Sequence, residues 1–108
     1  MDKDYKWLEP WDSLCTEQSS FEKELYNEVG EKHILYEKKV MAIGRRYDCD
    51  DFLFRIYDAD FNFAVVHLTY SGRKEESFKY PRTKVYKDLN DWINRCMIPD
   101  NSEYMLCE

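Results

Sequence analysis

The sequence predicts a small α+β domain: an antiparallel sheet of three or four strands, with an N-terminal and a C-terminal helix packed on one face (order α-β-β-β-α). Three observations lead there. Residues 51–70, DFLFRIYDADFNFAVVHLTY, hold two alternating apolar runs around a polar turn. Residues 89–97 carry an apolar face at helical spacing, and residues 19–29 carry another behind a capping pattern.

The chain has 108 residues, which suits one domain (1–108) with one modest core. Aromatic residues make up 17% and there are only three glycines and three prolines, so large side chains fill that core and disorder is disfavoured. Residues 1–14 place Trp7, Leu8, Trp11 and Leu14 around Pro10. Two tryptophans in so short a stretch predict docking on the body, although they could also line a groove.

Ser19-Ser20-Phe21-Glu22 fits a capping box and starts the first helix. Phe21, Leu25 and Val29 form its apolar stripe, and Gly30 is placed to close it. Residues 34–47 read as extended, either one strand with a polar middle or two strands turning at Glu37-Lys38-Lys39, with Gly44 marking a bulge or close approach.

The hairpin follows. Phe52, Phe54 and Ile56 alternate with Leu53, Arg55 and Tyr57, while Ala64, Val66 and Leu68 alternate with Phe63, Val65 and His67. Both faces carry large apolar groups, so the pair belongs in the middle of its sheet. The intervening Asp58-Ala59-Asp60-Phe61-Asn62 suits a loop of about four or five residues.

Ser71 to Ser77 reads as a polar surface loop, and Tyr80-Pro81 keeps the next segment extended. In the second helix Leu89, Trp92, Ile93, Cys96 and Met97 line one face, Asp88 is the N-cap, and Pro99 lies just past the end. Residues 100–108 are expected to be an irregular tail.

The formal charge of −6 opposes general affinity for nucleic acid and would steer a cationic partner more readily than an anionic one. Cys15, Cys49, Cys96 and Cys107 are widely spaced, which is not metal-site spacing. With no apolar run near the N-terminus, the expectation is a cytoplasmic chain with reduced thiols, no membrane contact and no cofactor. The sequence leaves monomer and homodimer open.

His67 is the residue best suited to proton transfer, since an ordinary imidazole exchanges protons near neutrality. Thr69, Tyr70, Ser71, Arg73 and Glu75 would complete a polar pocket around it. Ser71-Gly72-Arg73-Lys74 could hold an anion but lacks the phosphate-loop glycine pattern. Cys49 lies among Asp48, Asp50 and Asp51, a field that disfavours a thiolate.

The stretch AVVHLTYSGRKEESFKYP (residues 64–81) resembles a segment shared by a group of small uncharacterised bacterial proteins with a V-H-L-T-aromatic-S-G run, a nearby glutamate and a later proline. The likeness extends over roughly residues 33–97. It implies that His67, Thr69, Tyr70, Ser71, Gly72 and Glu75 belong to one motif, and it carries no activity. Two readings follow. The first is a noncatalytic protein-binding module, such as an inhibitor, adaptor or immunity-like protein; the second is a small enzyme or ligand binder using the His67 pocket.

Overall fold

The structure is a computed structural model, and it describes residues 6–70 and 80–106. The fold is α+β, built on a five-stranded antiparallel meander in the order β1-β2-β3-β4-β5. The strands are β1 (Trp11–Ser13), β2 (Val40–Arg46), β3 (Asp51–Ile56), β4 (Phe63–His67) and β5 (Thr83–Tyr86). Helix α1 (Gln18–Glu28) falls between β1 and β2, and α2 (Leu89–Trp92) and α3 (Ile98–Leu106) follow β5.

Five strands replace the expected three or four. The two extra ones are the short edges, Trp11–Ser13 and Thr83–Tyr86, which are too brief to show a two-residue period. Pairing with longer neighbours makes them strands.

The helices lie on opposite faces, not on one. Phe52, Phe54, Ile56, Ala64, Val66 and Leu68 pack with Leu25 and Val29 of the α1 side. Leu53, Phe63, Val65 and Tyr86 pack with Trp11, Trp92 and Met97. Alternation along β3 and β4 requires this, because a single helical layer would leave Leu53, Phe63 and Val65 in water.

Helix α1 does not use the capping box. Glu17 precedes it in left-handed geometry (φ 62°) with no side-chain cap. Gln18, Glu22 and Tyr26, one turn apart on the helix, instead serve β2 beyond the end of β1. Gln18 Nε2 donates to the Ala42 carbonyl at 2.6 Å, Glu22 Oε2 accepts the Ala42 N–H at 2.9 Å, and the Tyr26 hydroxyl accepts from Val40 N–H at 3.4 Å. The helix lends side chains where the edge strand has run out, so those main-chain groups stay paired. Val29, in extended geometry, ends the helix ahead of Gly30.

Residues 34–39 are not strand. Successive short turns (His33 N–H to Gly30 O, Tyr36 N–H to His33 O, Lys38 N–H to Leu35 O) carry the chain to Val40 and bury Leu35. Asp58 then fixes the entry to β2, accepting the Lys39 N–H at 3.0 Å. The register of β2 shifts between Ala42 and Gly44, the bulge that Gly44 marks.

Asp88 caps α2 by accepting the Asp91 N–H at 2.8 Å. Pro99 does not end the helical run. Residues Ile93–Met97 form a π-helical turn, in which the Ile98 N–H reaches back five residues to the Ile93 carbonyl, and α3 continues through Leu106. Proline lacks an N–H and crowds the carbonyl four residues back; a wider turn ahead of it accommodates both defects. Residues 98–106 are therefore helix, where the composition suggested an irregular tail. Among the described residues no helix is long and apolar enough to cross a membrane.

Candidate functional site

One end of the sheet, where β2 and β4 finish and β3 and β5 begin, opens into a cleft of about 1020 Å³. Its far wall is the run from α2 to α3, which contributes Arg95, Cys96 and Asp100.

His67 and Asp51 face each other across β3 and β4, since the register pairs Asp51 with His67. Nδ1 of His67 lies 2.6 Å from Asp51 Oδ1, and the imidazole is 50% exposed at the cleft wall. The carboxylate orients the ring and leaves Nε2 for another partner. A hairpin loop limited to residues 58–62 would have set His67 opposite Leu53. The observed register, with Arg55 opposite Phe63, is what creates the pair.

Asp100 gathers three donors from different elements. It accepts the Trp11 indole N–H at 2.8 Å and lies 3.3 Å from Arg46 Nη1, and the Cys96 thiol donates to it at 3.5 Å. Burial, reinforced by Asp100, pushes the Cys96 thiol up to about 12, so it stays protonated at neutral pH. Burial likewise pushes Cys49 up to about 11, partly offset by the hydrogen bond to the Asp51 main chain. Neither sulfur is an activated nucleophile.

Arg46, Arg82, Lys84 and Arg95 line the cleft with the carboxylates of Asp51 and Asp100. Arg46 is matched by Asp48 at 2.8 Å and by Asp100, and Arg95 by Asp91 at 3.0 Å. Arg95 also lies over the Tyr86 ring, 5.1 Å from its centroid, and Arg82 over Tyr80 at 5.9 Å. Among the described residues, Arg82 and Lys84 meet no carboxylate. Two cations without a described carboxylate partner therefore border this cleft on an acidic chain.

His33, which has no motif around it in the sequence, also borders the cleft. Its Nδ1 accepts the Leu35 N–H at 3.0 Å, so Nε2 carries the proton and donates to the Pro81 carbonyl at 2.9 Å. Burial lowers its pKa, partly offset by the Pro81 bond. This imidazole ties the turn before β2 to the approach to β5.

Of the residues singled out from sequence, His67 and Thr69 reach the cleft. Tyr70 does not line it. The main-chain N–H groups of Thr69 and Tyr70 are held by the buried Glu28 carboxylate at 2.8–2.9 Å, with Tyr70 at φ 54°. Ser71, Arg73 and Glu75, with Gly72 and the rest of the proposed anion loop, lie outside the described residues. Arg82, Lys84, Arg95 and Asp100 gave no sequence signal, and Asp51 stood out only within the acidic run around Cys49, because surface charges acquire meaning only when folding sets them around one space. Among the described residues no cluster of three or more His, Cys, Asp or Glu is gathered for a metal ion. No family model matches the chain, and no curated protein or solved structure matches it.

Proposed function

We propose that the protein is a noncatalytic binding module whose recognition site is this cleft, and that its partner is a protein presenting carboxylates. The observation that carries the reading is the pair Arg82 and Lys84 on the cleft wall, unmatched by any described carboxylate. Net charge alone favours a cationic partner. Contact, however, is decided within a Debye length of about 8 Å, and at that range Arg82 and Lys84 are the cleft charges that no described carboxylate matches. The Tyr80 ring lies under the Arg82 guanidinium and favours a defined placement of it.

Titration of a Glu-rich and a Lys-rich peptide of equal length tests this. The Glu-rich peptide should bind, its affinity should fall as salt rises, and Lys84→Glu should weaken it about tenfold or more. Equal or stronger binding of the Lys-rich peptide would overturn the reading.

The His67–Asp51 pair supports a second reading, a small enzyme or ligand binder in which Asp51 orients His67 as a general base. The protonated state of Cys96 weighs against thiol chemistry in the same cleft. Under the binding reading His67→Ala lowers peptide affinity. Under the catalytic one it abolishes turnover and leaves affinity almost unchanged.

A further inference from the structure

The two edges of the sheet are treated differently. Along β2, the groups that β1 does not reach are taken up by Gln18, Glu22 and Tyr26. At the opposite edge β5 has β4 on one side only. The His67 N–H bonds the Arg82 carbonyl at 2.9 Å. In an antiparallel ladder alternate residues turn their main-chain groups the same way, so Lys84 also faces β4, and Thr83 and Val85 present N–H and C=O outward. Among the described residues nothing accepts or supplies a hydrogen bond there.

Lys84 pairs with Val65 and Tyr86 with Phe63, so both side chains stand on the cleft face. Arg82, Thr83, Lys84 and Tyr86 all border the cleft, which therefore runs alongside the strand for most of its length. A sixth strand added here would satisfy the Thr83 and Val85 main chain, and every second side chain of it would fall on the Lys84 side. An acidic residue in that row meets a cation. A second copy of this chain is a poorer occupant, because antiparallel pairing of β5 with itself brings lysine against lysine on a molecule already carrying −6.

Building on the binding reading above, we propose that an extended acidic segment of the partner adds to β5 as a sixth strand, with main-chain bonds to Thr83 and Val85 and carboxylates toward Lys84 and Arg82. Strand addition of this kind takes its affinity from the main chain and its selectivity from alternate side chains.

The test uses three eight-residue synthetic peptides with the full chain: alternating Val-Glu, alternating Val-Lys, and the Val-Glu peptide N-methylated at alternate residues. The Val-Glu peptide should bind and slow amide exchange at Thr83 and Val85, and N-methylation should weaken it at least tenfold. Val85→Pro should do the same, with circular dichroism checking its fold. If N-methylation changes nothing and those amides stay unprotected while the Val-Glu peptide still binds, strand addition is wrong and the cleft reading survives. If the Val-Glu peptide fails to bind or binds no better than Val-Lys, both fall. Self-association that protects the same amides without peptide would make the occupant a second copy and overturn the proposal.

Discussion

Gly44 lies directly beneath the Trp7 indole: a Cβ built on it would meet Trp7 Cζ3 at 2.7 Å and Cη2 closer still. The ring cannot simply move off, since it stands edge-on to Trp92 with centroids 5.7 Å apart. Gly44→Ala should therefore destabilise the fold by about 1–3 kcal/mol through overpacking. Urea denaturation followed by tryptophan fluorescence measures it; a cost near zero would mean that Trp7 is not held there.

Trp92 is the centre of the second core. It is fully buried and takes edge-on contacts from both Trp7 and Trp11, the latter at 5.2 Å. Trp92→Ala should cost about 3–5 kcal/mol. A loss below about 1 kcal/mol would contradict the packing of the C-terminal helices on this face.

Asp100 links α3 to β1 and β2 through Trp11 and Arg46. Asp100→Ala strands the indole N–H and one side of Arg46, and should cost about 2–4 kcal/mol. Asp100→Asn keeps an acceptor and should cost less. Equal losses for the two would show that shape, not hydrogen bonding, is what Asp100 supplies.

Two groups make stability depend on pH in opposite senses. A hydrogen bond to Glu28, with burial, raises Glu24 from 4.5 to about 7. Between these values Glu24 holds its proton more tightly in the folded chain than in the unfolded one, so this contribution is full below 4.5 and is lost as pH rises through 7. His33 is lowered by burial, so its contribution is full above 6.5 and is lost as pH falls below it. Glu24→Gln should remove the first trend, leaving a variant that is more stable than the parent at pH 8 and gains less on acidification. Thermal melts from pH 4.5 to 8 decide the matter; parallel curves for parent and variant would refute it.

His67 should matter little to stability, because its pair with Asp51 is partly exposed and such pairs contribute about 0–1 kcal/mol. His67→Ala should melt within a few degrees of the parent. A large drop in melting temperature would assign His67 a structural role in place of a recognition role.

The central hairpin and the apolar face of the C-terminal helix were legible from residue order, because period and turn chemistry are local properties. Alternation of apolar groups on both sides of β3 and β4 also contained the need for two covering layers, although two short amphipathic helices suggest one. Strand number, hairpin register and helix continuity past Pro99 were settled only by tertiary contact. Three-residue and four-residue strands carry too little pattern to announce themselves, and Asp51 meets His67 only once pairing is fixed. The cleft charges are the plainest case: total charge is a sum over residues, whereas which charges share one space depends on where folding puts Arg82, Lys84 and Asp100.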